Sequence, residues 1–392
     1  MTVDERAVRG YRLRRVREQL AARDLAGIVI FDPVNLRYAT GSRNMQVWTK
    51  NNFCRYAVVL NGGPVILFDL SSSRHLAESL ETVDEIRPAL AWDYAMVGDR
   101  NAELAGRWAS EIADLITMHG GGNRRVAIDR ADWLAAQALT RLGVDIVDGK
   151  AVMERARAVK SADEIAAMRI AFGALDESVA VMRDMIEPGI RECDALAALL
   201  AANVARGGEY PETRLLTSGP RTNPWFQETS DRLMAAGDLL SFDTDLIGPH
   251  GIYSDISRSW VVGGGKPSDE QRRLYETAVR QLDHNAGLLR PGLGFVEYAE
   301  KSYRLPDEYI PNRYADVAHG CGLGVEYPYI WYPEDADLGM YDGVFEAGMV
   351  VCVECYVGAP GGREGVKLEQ AYLISDNGPE CLSDYPIETD YL

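Results

Sequence analysis

The sequence predicts an α/β N-terminal domain over residues 1–155, followed by an α+β domain over residues 156–392. Three observations carry this reading. Up to about residue 150, helical periodicity alternates with short apolar runs of strand length. Ser161-Ala162-Asp163-Glu164 then has the spacing of a capping box and opens a long helix through Met182. Beyond Arg206 the chain changes character, with short strands and glycine-containing turns from Arg214 to Gly263 and again from about Met349 to Ile374. A length of 392 residues suits two or three domains of ordinary size.

In chain order, a helix over about 5–23 precedes the strand Gly27-Ile28-Val29-Ile30-Phe31. The runs Tyr56–Leu60 and Pro64–Phe68 flank Asn61-Gly62-Gly63, a hairpin signal. A helix near 101–118 and the strand Arg125–Ile128 follow. Gly120-Gly121-Gly122-Asn123 lies before a strand rather than between a strand and a helix, so it is a loop and not a phosphate cradle. In the second domain a helix runs from about Glu192 to Arg206, and a helical stretch over about 268–304 separates the two β-rich blocks.

Composition excludes several functions. With 41 Lys+Arg against 59 Asp+Glu the formal net charge is −18, which disfavours nucleic acid as a partner. No apolar run approaches the ~20 residues of a membrane helix, and the start, Met1–Arg6, lacks a signal core. These features fit a cytoplasmic protein without a membrane partner. The six cysteines are too sparse for a disulfide scaffold. Cys352 and Cys355 form a C-x-x-C inside a strand, where residues three apart face opposite ways, so they read as buried strand cysteines rather than a redox or zinc pair.

The informative segment runs from Leu239 to Trp260 and reads as strand, turn, strand. Asp243 and Asp245 are two apart and share a face. Asp255 joins them, opposite Asp245, only if the loop is odd in length or a bulge intervenes. Three acids on one strand face repel one another, and a divalent cation removes the conflict. Glu354 lies in the apolar run Met349–Tyr356, where an unpaired charge is expensive. Glu369 lies in a partner strand across a glycine-rich turn. His319 sits in Ala318-His319-Gly320-Cys321-Gly322-Leu323-Gly324, whose glycines allow close backbone approach. Taken singly, exposed acids, a salt-bridged Glu and a core His are commoner than ligands. His250 reads as a turn residue, and His75, His119 and His284 as surface or helix-packing groups.

At these residues the chain resembles the M24, or pita-bread, family, which includes methionine aminopeptidase, Xaa-Pro peptidases and creatinase. The resemblance covers nearly the whole chain: a creatinase-type N-terminal domain, then a pita-bread catalytic domain. It implies two divalent metal ions (Fe, Mn, Zn or Co) held by Asp243 or Asp245, then Asp255, His319, Glu354 and Glu369. The doubled Asp243-Thr244-Asp245, with Arg43–Thr49, Asn223–Glu228 and Tyr314, is similar to the branch containing the DddP-type dimethylsulfoniopropionate lyases, in which both first-strand acids approach the metals. That branch implies a pocket shaped by Trp48, Trp225 and Tyr314, suited to a sulfonium or quaternary ammonium group through cation–π attraction.

Two departures from the family pattern bear on chemistry. M24 peptidases place a histidine in the region of Asn223–Glu228 and another after the His-Gly-x-Gly segment; this chain has neither. Peptidase and creatinase-type hydrolysis are disfavoured accordingly. The DddP-type branch has an acidic base where this chain has Val325, which leaves Glu326, Tyr314 or a hydroxide held by the metals as the base, or a different substrate. The expected function is lyase or hydrolase chemistry on a small carboxylate-bearing metabolite. The alternatives are an Xaa-Pro peptidase and a non-catalytic small-molecule-binding protein. Relatives of this architecture form homodimers, in which the Asn44–Thr49 loop would serve the neighbouring subunit.

Overall fold

In the computed structural model, which describes residues 2–392, the chain divides between Arg157 and Ala158 into two units, each with its own core. In the N-terminal unit, β1 (Gly27–Ile30) is apolar and buried along its whole length, so both faces must be covered. It lies inside a six-stranded sheet of order β4-β3-β2-β1-β5-β6. The other strands are β2 (Tyr56–Leu60), β3 (Val65–Asp69), β4 (Glu85–Pro88), β5 (Arg125–Ile128) and β6 (Asp145–Asp148). β2 and β3 form the antiparallel hairpin expected around Asn61-Gly62-Gly63, with Gly62 at φ +74° where a side chain would be strained. The β1–β5 and β5–β6 pairs are parallel. The helix Asn101–His119 buries Leu104, Trp108, Ile112 and Leu115 along one face. Trp108 packs there among Phe31, Tyr56 and Trp92.

The second unit opens as the capping box requires. Ser161 Oγ accepts from the Glu164 amide, Glu164 accepts from the Ser161 amide, and the helix runs Ala162–Arg183. A second capping box, Ser268 with Gln271, starts the helix Asp269–Leu288. The helical stretch read over 268–304 is two helices, the second being Phe295–Lys301, interrupted around Pro291-Gly292.

These helices cover an eight-stranded antiparallel sheet with the path β13-β12-β14-β15-β11-β8-β7 and β16 beside β15. Its strands are β7 (Leu216–Ser218), β8 (Leu239–Asp243), β11 (Ser257–Val261), β12 (Ala318–Cys321), β13 (Val325–Ile330), β14 (Val350–Val357), β15 (Val366–Ser375) and β16 (Gly378–Cys381). Between β8 and β11 the short β9 (Leu246–Ile247) and β10 (Tyr253–Ser254) form a separate ribbon. One sheet face presses Val351, Val353, Cys355 and Leu368 against Leu274, Ala278 and Leu282 of the Asp269–Leu288 helix, in a single hydrophobic cluster. Strand alternation sends the intervening residues to the other face. Among the described residues no helix is long and apolar enough to cross a membrane.

Candidate metal centre

The second face carries the site. Register places Asp243 opposite Ser257, Ser257 opposite Glu369, Glu369 opposite Glu354, and His319 opposite Cys352. Cys352 and Glu354 are two apart on β14, so a continuous row of polar side chains crosses β12, β14, β15, β11 and β8. The chain leaves β8 at Thr244-Asp245, where Asp245 takes a left-handed φ of +41°. It returns through the ribbon after the five-residue loop Gly248–Ile252, so the odd parity that sets Asp255 against Asp245 is met.

All six expected ligand side chains are buried, with Asp245 the most exposed at 8%. Ligand atoms of Asp243, Asp245 and Asp255 lie within 4.8 Å of one another, as do those of Asp243, Glu354 and Glu369 and those of Asp255, His319, Cys352 and Glu369. Cys352, read from sequence as an ordinary core cysteine, thus faces the cluster, while Cys355 packs in the hydrophobic core.

Each ligand is held by a partner. Asp255 Oδ1 accepts from Thr244 Oγ1 and the Asp245 amide, both at 3.2 Å. Tyr253 Oη sits between Asp245 and Asp255, and Thr213 Oγ1 donates to Asp245. Ser257 Oγ lies 2.9 Å from both Asp243 and Glu369. His319 Nδ1 is 3.1 Å from the Gly320 carbonyl, which turns Nε2 toward Glu354 Oε1 at 3.4 Å and Glu369 Oε1 at 3.7 Å.

Two facts show that the cluster fits cations. Glu354 Oε1 and Glu369 Oε1 are buried without a hydrogen-bond partner, a costly state for carboxylate oxygens. The acids also titrate as a crowd. Burial, then the charges of Glu369 and Asp243, push Asp255 well above the ordinary carboxylate range. Burial and Glu354 do the same to Glu369. Burial and Asp243 raise Asp245 to about 6. Burial by itself would lower His319, yet Glu354, Asp316 and Glu369 lift it well above its usual value. A donor set of five carboxylates and an imidazole is the chemistry that hard and borderline divalent ions require.

Three residues absent from the sequence reading complete the site. Lys367, two before Glu369 on β15 and wholly buried, sets its Nζ 2.5 Å from Glu354, 3.1 Å from Glu369 and 3.2 Å from Asp243. Burial, the largest influence, raises Asp243, but the Lys367 charge together with hydrogen bonds to Asp255, Glu369 and Ser257 holds that carboxyl below its ordinary range. Ser257 bridges two ligands, as described. Asp316 is 1% exposed, with Oδ2 unpartnered. Burial raises its carboxyl to about 7, against the pull of His319. Lys367 had a sequence signal, since a lysine at an inward position of an apolar strand must find anions; Asp316 had none.

The other expected residues fare differently. Glu326 is drawn into a buried ion pair with Lys160 at 2.5 Å. Its carboxylate is engaged by that ammonium, which corrects the expectation that it serves as base. Tyr314 lies at the cluster, but the Lys367 ammonium sits 4.4 Å over its ring and Phe226 packs against it at 5.3 Å. That corrects its assignment as an open cation–π surface for substrate. Trp225 is a packing residue, 7% exposed in a cluster with Leu215 and Tyr356. Trp48 is 42% exposed, on the short helix Gln46–Asn51 of the N-terminal unit. Val325 is 46% exposed. The glycines around His319 make room for β13 rather than for a ligand: a Cβ on Gly320 would meet the Tyr327 carbonyl, and one on Gly322 the Glu326 carboxylate.

Comparison with known proteins agrees with this architecture. Residues 166–376 match the model of metallopeptidase family M24, and residues 12–159 that of the creatinase/prolidase N-terminal domain. The chain is 41% identical to a dimethylsulfoniopropionate lyase DddP of Roseovarius nubinhibens, over 98% of this chain and 87% of the relative. It is 39% identical, with the same coverage, to the DddP of Roseobacter denitrificans. An Xaa-Pro dipeptidase structure from Bacillus anthracis superposes with a TM-score of 0.78 at 19% identity, covering 96% of this chain and 98% of that one, a likeness of fold. With its acid-rich sheet face, its two matched domains and these relatives, the chain belongs to the M24 family of metal-dependent enzymes.

Proposed function

We propose that Asp243, Asp245, Asp255, His319, Glu354 and Glu369 hold two divalent ions, and that the enzyme acts on a small carboxylate-bearing metabolite by elimination or hydrolysis. The observation that carries this is the row of buried donors with two carboxylate oxygens left unpartnered. When bound, such ions polarise a substrate oxygen and acidify water. The remaining roles fall to the chain. The ribbon between β8 and β11 fixes Asp245 and Asp255, and Trp225, Tyr314, Tyr356 and Leu215 form an apolar wall beside the cluster.

That wall argues against peptidase chemistry. Asn223, at the start of the segment where the family's peptidases place a histidine, is used structurally, donating to the Ala359 and Gly362 carbonyls at 2.8 and 2.9 Å. With Glu326 paired to Lys160, Asp316 takes the proton-accepting role in this reading. It is a buried carboxyl close enough to His319 and Tyr314 to influence both. The relatives named DddP lyase supply the first substrate to try, dimethylsulfoniopropionate.

The experiment is metal analysis of the purified protein. Chelated and Mn-, Fe-, Zn- or Co-loaded samples are then assayed against dimethylsulfoniopropionate, related sulfonium and quaternary ammonium carboxylates, and X-Pro dipeptides. About two ions per chain and metal-dependent turnover of a small carboxylate are expected. Full activity in metal-free protein, or efficient cleavage of X-Pro dipeptides, would overturn the reading.

A further inference from the structure

Lys367 is an oddity of the site. Cations that compete with metal ions for ligands are normally kept out of metal centres, yet this ammonium is wholly buried among three of the proposed ligands. It also lies 2.8 Å from Ser257 Oγ, itself in contact with Asp243 and Glu369. The ring of Tyr314 caps it at 4.4 Å. Its three donors are therefore spent on Ser257, Glu354 and Glu369, with Asp243 in ion-pair range and an aromatic face over it. The position follows from register: Lys367 is opposite Tyr356 on β14 and two residues from Glu369, so its side chain must rise on the ligand face.

We propose that Lys367 is a resident third cation of the metal centre. It is a positioning residue that holds Asp243, Glu354 and Glu369 together before ions arrive and restrains how tightly ions then bind. The inference rests on the dinuclear reading above. Five carboxylates bring five negative charges and two divalent ions return four; the ammonium supplies the fifth. A site so balanced accepts a substrate carboxylate without adding it to an excess of negative charge. Without ions, this ammonium and His319 are the cationic groups that meet Asp243, Glu354 and Glu369 among the described residues. The ammonium thus offsets repulsion that would otherwise force the cluster to protonate or open.

Like charges sharing ligands oppose one another. Removing the ammonium should therefore weaken the metal-free protein and strengthen metal binding, a pair of opposite effects that loss of mere packing would not give. The test compares wild type with Lys367→Met, similar in length and uncharged, by thermal unfolding with and without Mn2+ and by chelator competition. Expected are a lower melting temperature for the chelated variant, a larger rise on Mn2+ loading than in wild type, and a dissociation constant at least tenfold smaller. An equal loss of stability in both forms, or metal binding that is unchanged or weaker, overturns the proposal. If the chelated variant does not fold, the metal-loaded variant is purified and its metal loss to EDTA is timed. Slower loss than in wild type supports the proposal, and equal or faster loss overturns it. A wild type that binds no ions would instead defeat the dinuclear reading itself.

Discussion

The two units bury charge in opposite ways. In the N-terminal unit the buried acids Asp69 and Asp129 have both carboxylate oxygens answered by hydrogen-bond donors. Arg55 and Asp69, both nearly inaccessible, meet at 2.7 Å, and Arg55 also donates to Ser42. Asp129 accepts from the Phe31 and Asp32 amides and from Asn35 Nδ2. Some buried acids of the second unit follow the same rule: Glu192 accepts from Ser218, Ser230 and Arg221, and Glu364 from the Leu239 amide and Gln271. The sheet face breaks it. Five carboxylates there share one lysine and one histidine, and two oxygens, near the His319 ring, accept no hydrogen bond. Burial that serves the fold pairs its charges, whereas burial that serves chemistry leaves a deficit for something else to fill.

Three substitutions and one change of pH put that contrast to the test. The largest effect is expected from Asp255→Asn. It removes a charge that its neighbours resist, so the chelated variant should melt no lower than wild type. Metal content should collapse, and turnover should fall by on the order of 10³-fold, the scale on which removing one electrostatic partner acts. Arg55→Met is its mirror image. It strands Asp69 without a counter-charge, which should cost about 3–5 kcal/mol in urea unfolding and leave metal content untouched. A loss of metal in that variant would erase the distinction between the units. Asp316→Asn should lower kcat by about 10²-fold, as loss of an acid–base group does, while bound metal stays constant. Unchanged kcat would remove Asp316 from the mechanism.

The smallest effect is a pH trend. In the metal-free protein Asp245 titrates at about 6, and Asp255 and Glu369 well above the ordinary range. The folded state therefore holds protons that the unfolded chain releases near pH 4. Their stabilising contribution is complete below about pH 4 and fades as pH rises through 6 and beyond. His319, raised by its acidic neighbours, acts in the same direction above about pH 6.5. Asp243, held low by Lys367, has the opposite sign, confined to acid below about pH 4. Chelated protein should melt lower at pH 8 than at pH 5.5, and metal loading should flatten or reverse the difference, since the ions displace those protons. A metal-free protein whose melting point rises across that interval would contradict this crowding of acids.

Much of the site was legible because its logic is local. Two aspartates two apart, a third reached through an odd loop, and glutamates inside apolar strands are patterns of period two, and period is written in the chain. The capping box at Ser161 was legible for the same reason. The helical stretch over 268–304 shows the limit, because its break at Pro291-Gly292 depends on how the second helix packs. The parity that sets Cys352 on the same face as Glu354 was likewise available in the chain.

That these acids sit inside apolar strands and alternate onto shared faces was therefore written in the sequence by itself, since alternation and the cost of buried charge are properties of each segment. Tertiary structure alone decided what those groups meet. Strand order delivered Lys367 to three carboxylates, took Glu326 away to Lys160, and closed the face of Tyr314. Apart from Glu369, two residues from Lys367, such partners are separated by 13 to 166 residues in the chain. Electrostatic pairing acts through space, and no spacing along the sequence encodes it.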